Sequence, residues 1–234
     1  MIPDLTQAFR RSPERDRRAE ILAAAERAFV RHGFHAATMG HVAEEAGMSA
    51  GNLYRYFPAK EALVEGLCNL DQEERRANFA ALARAPKIFD AMAFAMRTHL
   101  LAKPPEKACM LLEIWAEGAR NPRIAAIGRS VDADVRGGLV GLFEVAKATG
   151  EAAASLDSIF AARLLFTLVG GLFKRLAHEE NFDVDAETAM VLGVLRALFD
   201  GKLGPSAPPA PPPRTGSATN QESNQATSQE TSHA

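Results

Sequence analysis

Thr38-Met-Gly-His-Val-Ala-Glu-Glu-Ala-Gly47-Met-Ser49-Ala-Gly-Asn-Leu-Tyr-Arg-Tyr-Phe-Pro58-Ala-Lys60 reads as two short helices joined by a tight turn. Thr38 is placed to cap the first helix, because its hydroxyl can accept from a free N–H of the opening turn. Val42, Ala43 and Ala46 fall on one face. Gly47 stops that helix, since glycine adopts the left-handed conformation that a helix end needs. Ser49 caps the second helix, and Leu53 and Phe57, four apart, point inward together. Pro58 closes it, lacking an N–H and disfavouring helix in the residue before it.

The outer face of the second helix has the chemistry of a groove reader. Ala50, Gly51 and Asn52 open it with small or polar groups, and Tyr54, Arg55 and Tyr56 follow. A small helix start approaches base edges closely, Asn pairs bidentately with adenine, and Tyr, Arg and Lys reach phosphates. The spacing therefore predicts a helix-turn-helix with its recognition helix at 50–56. Asn52 with Ala50 and Gly51 is expected to meet bases. Thr38, Tyr54, Tyr56 and Lys60 are expected to hold phosphates, with Met39, Gly40, His41, Ser49 and Arg55 along the same surface. A plain helical hairpin buried in a core is the competing reading; the polar and basic groups beside a glycine-containing helix start speak against it.

Thr38, Val42-Ala43, Ala46-Gly47-Met48-Ser49, Gly51, Leu53-Tyr54, Tyr56-Phe57 and Lys60-Glu61-Ala62-Leu63 resemble the signature of the TetR family of bacterial transcriptional regulators. The match runs in register from about Ile21 to Leu67. The resemblance implies an all-α protein: an N-terminal three-helix DNA-binding domain and a C-terminal helical domain for effector binding and dimerisation. It also implies that the helix starting near Lys60 joins the two domains and carries the ligand's signal. Beyond Leu67 the likeness is one of layout.

Composition bounds the rest. Of 234 residues, 47% are hydrophobic, enough for a sizeable core, and abundant alanine with few aromatics favours helices. No run of about 20 apolar residues offers a membrane span, and the N-terminus lacks an apolar signal-peptide core. A cytoplasmic protein without membrane contact is expected. Cys68 and Cys109 have no metal-ligand spacing and read as small hydrophobes; a disulfide between them is the alternative. The net charge of −2 hides an asymmetry. Residues 1–60 hold nine basic and seven acidic groups, so the remainder carries the negative surplus. Arg10, Arg11, Arg15, Arg17 and Arg18 crowd together, either to meet phosphates without reading sequence or as a solvated charged face.

In order, residues 1–13 read as a flexible arm and 14–66 as the DNA-binding domain. Its first helix, from about Glu14 to His32, carries Ile21, Leu22, Ala25, Ala28 and Phe29 as a stripe. Residues 67–203 read as the effector and dimerisation domain. Helices are expected at about 60–83, 88–102, 106–120, 123–149, 156–178 and 186–198, divided by Pro86, Pro104-Pro105, Asn121-Pro122 and Gly150. Gly137, Gly138 and Gly141 weaken the middle of the fourth of these. The fifth is apolar nearly all round, and its Gly170-Gly171 pair would admit a close neighbour. By resemblance the last two helices meet their copies as a four-helix bundle in a homodimer; a large internal core would also bury them. Residues 204–234, rich in Pro, Ser, Thr and Gln, read as disordered.

No enzyme constellation assembles. The six histidines are scattered, and the glycine pairs lack the residues of a phosphate loop. No catalytic residue, metal ligand or cofactor is expected. Glu113 and Glu117 lie one turn apart around Trp115; they could do acid–base work, bind a cation or simply sit at a surface. They could also line an effector cavity with Trp115, Phe89, Met92, Met96, Met110 and Phe166, suited to a bulky apolar or cationic ligand. The expected function is a ligand-responsive, dimeric repressor on a pseudo-palindromic double-stranded operator. The alternatives are a DNA-bound adaptor that recruits a protein without a small-molecule effector, and, last, an enzyme.

Overall fold

The computed structural model describes residues 13–101 and 104–206. The arm up to residue 12 and the tail from residue 207, with their expected flexibility, lie outside the described residues. Among the described residues the chain is all-helical, with α1 (Pro13–His32), α2 (Met39–Glu45), α3 (Ala50–Tyr56), α4 (Lys60–Leu82), α5 (Ile88–Leu101), α6 (Pro105–Gly118), α7 (Pro122–Ala148), α8 (Ser158–His178) and α9 (Val184–Phe199).

Capping chemistry places the boundaries. Thr38, Ser49, Asn121, Asp157 and Asp183 each accept from N–H groups of the helix that follows. Gly33 ends α1 at a φ of 73°, a left-handed conformation that costs a residue with a Cβ. Despite four glycines, α7 is continuous. The reason for Gly138 is close approach: a Cβ there would run into the ring of Phe79 on α4.

The helices enclose two apolar cores. The first gathers Ile21, Leu22, Ala25 and Phe29 of α1, Phe34, Val42 of α2, Leu53 and Phe57 around α3, and Leu63 and Val64 of α4. It does not stop at α4. Met110 of α6 and Ile124 of α7 are buried in the same cluster, and Leu111, Ile114 and Ile127 pack against it. The second core takes Ile88 and Met92 of α5, Leu142 and Phe143 of α7, Leu165 and Leu172 of α8, and Val191, Leu195 and Phe199 of α9. The Glu151 carboxylate accepts from the Ile88 and Phe89 N–H groups at 2.7 and 2.9 Å, so the α7–α8 connection caps α5.

The outer sides of α8 and α9 stay open. Ile159 is 65% and Met190 52% exposed, and nothing lies within 4 Å of where a Cβ would stand on Gly170, Gly171 or Gly193. The all-round apolar look of α8 thus resolves into one face on the second core and one face without a neighbour among the described residues.

Candidate nucleic-acid interface

The recognition segment is built from its buried side outward. Leu53 is fully buried and Phe57 nearly so, and the Arg18 guanidinium lies 4.6 Å from the Phe57 ring centroid. With that face fixed, Ala50, Gly51, Tyr54 and Arg55 form the opposite, exposed stripe of α3, at helical spacing. Among the described residues, nothing beyond its own turn of helix lies within 4 Å of a Cβ placed on Gly51. Asn52 is half-buried, and its N–H donates to the Ser49 hydroxyl at 3.3 Å, which anchors the start of α3.

At α2 the sequence concealed a device. The His41 N–H donates to the Thr38 hydroxyl at 3.2 Å, and the Thr38 N–H donates back to His41 Nδ1 at 3.4 Å. This is a reciprocal capping box with histidine in the place usually held by Glu or Gln. The His41 ring also stacks on His32 at 4.2 Å. Thr38 and Gly40 are exposed, whereas Met39 and Tyr56 are half-buried and pack against the first core.

Lys60 is held from within the chain. Its position at the start of α4, unfavourable for the helix dipole, suggested a phosphate contact. In the structure its ammonium donates to the Phe34, His35 and Ala37 carbonyls at 2.8, 3.2 and 3.1 Å and sits 4.5 Å from the Phe34 ring centroid. Three donors meet three acceptors, so Lys60 ties the α1–α2 connection to α4, and a phosphate would have to displace one of these bonds.

Arg17, Arg27 and Arg31 of α1 are likewise engaged within the unit. Arg27 pairs with Glu45 at 3.3 Å, Arg31 pairs with the same carboxylate, and Arg17 reaches the Ala46 carbonyl at 3.4 Å. They hold the end of α2 against α1. Sequence reasoning passed over Glu45, because nothing local marks a carboxylate shared by two arginines from another helix. Arg10 and Arg11 lie outside the described residues.

The eight residues expected to line an effector cavity do not come together. Met92 is buried in the second core, and Met96 packs against it. Phe89 meets Phe199 edge-on, with the Arg196 guanidinium 3.5 Å over its ring. Phe166 lies under Arg136. Met110 belongs to the other core. Trp115 is 47% exposed, and Glu117 is half-buried near it on α6. Glu113 accepts a hydrogen bond from the Phe34 N–H, so it joins α6 to the unit formed by α1 to α3. Helical spacing identified the inner faces of these helices but not which core each face enters.

Other polar links cross the same boundary. Lys107 of α6 pairs with Glu26 of α1 at 2.6 Å, Asn121 donates to Glu61 at 3.0 Å, and Arg123 meets Glu65 at 3.5 Å. Hydrogen bonds from its own N–H and from Asn121 hold the Glu61 carboxyl below the usual carboxylate range. Removing one link should register locally. Glu113→Ala leaves the Phe34 N–H without its acceptor, at an expected cost of about 1–3 kcal/mol. Amide exchange at Phe34 should quicken and thermal unfolding shift down; an unchanged exchange rate would count against the link.

A trihelical unit with a buried Leu53–Phe57 side and an exposed Ala50–Arg55 side defines a helix-turn-helix DNA-binding transcriptional regulator. Residues 21–67 match the family model described as bacterial regulatory proteins, tetR family. The HTH-type transcriptional regulator UidR of Escherichia coli (strain K12) is 31% identical over 186 residues, 80% of this chain and 92% of that protein. The HTH-type transcriptional repressor BepR of Brucella suis biovar 1 is 26% identical over 199 residues, covering 76% and 89%. The structure of Salmonella enterica GusR superposes with a TM-score of 0.68 at 29% identity, covering 81% of this chain and 97% of that one. The chain belongs to the TetR family, whose members are transcriptional regulators and not enzymes. Among the described residues no helix is long and apolar enough to cross a membrane, and no three His, Cys, Asp or Glu side chains group as metal ligands.

Proposed function

We propose that the protein is a homodimeric, effector-responsive repressor that binds a pseudo-palindromic operator in the cytoplasm. The observation that carries this is the exposed stripe of α3, small at Ala50 and Gly51 and polar at Tyr54 and Arg55, presented by a helix whose other side is locked into the first core. The open faces of α8 and α9 favour a second copy: apolar surface of this kind is covered most simply by an isologous contact about a two-fold axis. Two recognition helices would then enter successive major grooves about 34–36 Å apart. The repressor BepR among the relatives supports the direction of regulation.

An effector acts by binding more tightly to the dimer whose recognition helices are wrongly spaced. The polar links from α6 and α7 to α1 and α4, together with Met110 and Ile124 inside the first core, supply a physical route for that bias. Selection of binding sites from random duplex DNA with the full-length protein tests the reading. It should return a two-fold related sequence with half-sites one helical turn or a multiple apart. Tyr54→Ala, at a side chain 51% exposed, should weaken binding to that sequence about tenfold or more, with two copies of the lost contact per dimer. The dimer should persist in gel filtration. Undiminished operator affinity would remove α3 from the interface.

A further inference from the structure

We propose that the cleft between α4 and α7 is a binding site for a small hydroxylated organic acid, with Arg75 receiving its carboxylate. The proposal rests on the effector-responsive reading and replaces the effector residues expected from sequence. Along α4, Glu65, Cys68, Asn69, Gln72 and Arg75 recur at helical spacing; along α7, Arg123, Ala126, Ile127, Ser130, Val131 and Asp134 do the same. Facing helix stripes usually interdigitate apolar side chains. Here the α4 stripe is mostly polar and the α7 stripe mixes polar with apolar side chains, and the two leave a space of about 360 Å³, within the range that small organic ligands occupy.

The charges in the cleft are not equally committed. At one end Arg123 pairs with Glu65 at 3.5 Å, and at the other the Gln72 amide donates to Asp134. Arg75 is different. One of its terminal nitrogens reaches the Cys68 carbonyl at 3.3 Å, and the other is 4.0 Å from the exposed Asp71 carboxylate. Its Nε is buried and has no hydrogen-bond partner among the described residues. A buried N–H without an acceptor is costly, so a group that supplies one is favoured. A carboxylate that parts the walls enough to reach it gains a charge-assisted bond.

The remaining walls define the rest of the ligand. Asn69 and Ser130 offer donors and acceptors to hydroxyl groups, and Ala126, Ile127 and Val131 give a carbon skeleton an apolar floor. A wholly apolar effector would leave the polar lining unpaired. The position also suits control. Cys68 and Ile127 pack against the first core from beside the cleft, and a Cβ on Gly66 would stand 2.7 Å from Leu22 and 3.1 Å from Phe57. Parting α4 from α7 here moves α4 where it lies directly against α1 and the end of the recognition helix.

Isothermal titration of the full-length protein with gluconate, citrate and glucose tests the proposal. Either acid should bind and glucose, which lacks a carboxylate, should not. Arg75→Gln should weaken acid binding at least about tenfold. Ala126→Trp, which fills the cleft from an exposed position of α7, should do the same with the circular dichroism spectrum unchanged. No binding of either acid, or binding indifferent to both substitutions, overturns the site. If the acid binds through Arg75 but leaves operator affinity unaltered, the site stands and the effector-responsive reading falls. If another compound releases the operator equally from the parent and both variants, that reading stands and the cleft assignment falls.

Discussion

Gly51→Leu is expected to leave the protein at least as stable as the parent while stripping it of operator binding. The site permits the substitution: Gly51 is exposed, its φ is not left-handed, and nothing lies within 4 Å of the new Cβ. Replacing glycine by leucine in a helix gains up to about 1 kcal/mol, less near a terminus. The same isobutyl group would stand where, on the proposed reading, the helix start touches base edges. Holding α3 back from the groove forfeits base contacts in both half-sites, each worth about 1–3 kcal/mol. A loss of about 100-fold or more in operator affinity follows. Thermal unfolding and gel-shift titration read the two effects separately, and their opposite signs distinguish a blocked interface from a damaged fold. Parent-like affinity would show that this edge of α3 does not face DNA.

Lys60→Met should do the reverse and act first on stability. Methionine keeps an unbranched stem over the Phe34 ring but removes all three hydrogen bonds to the Phe34, His35 and Ala37 carbonyls. Bonds from a charged donor contribute about 1.5–3 kcal/mol each and do not add when they share one group. The expected net loss is about 2–4 kcal/mol, a fall in Tm of about 5–12 °C for a chain of this size. Were Lys60 chiefly a phosphate ligand, Tm would hold and the salt dependence of DNA binding would become shallower. A differential scanning trace of the free protein decides between these outcomes.

Locally encoded features could be read from the sequence. Gly33 and Gly47 sit at φ of 73° and 61°, Thr38 and Ser49 cap the helices they precede, and Leu53 and Phe57 face inward. Each follows from one residue's stereochemistry or from a spacing within a single helix. Features that depend on what meets across space could not be read. His41 completes a capping box, but the usual pattern has a carboxylate or amide there. Lys60 was judged by its place on its own helix, while its partners are carbonyls 23 to 26 residues earlier. Met110 and Met92 carry equivalent sequence signals and enter different cores. The stripes of α4 and α7 are each unremarkable as a solvated helix face; only their juxtaposition makes a cleft.

Met110 and Ile124 carry a practical lesson for anyone wishing to transplant this reading head. The contiguous segment that matches the family ends at residue 67, yet two side chains that complete its interior arrive from more than 40 residues downstream. A chimera cut after α4 would leave their seats vacant and open the first core to water. A graft faithful to the native packing has to bring the 105–127 stretch along, or supply a substitute lid of matching shape.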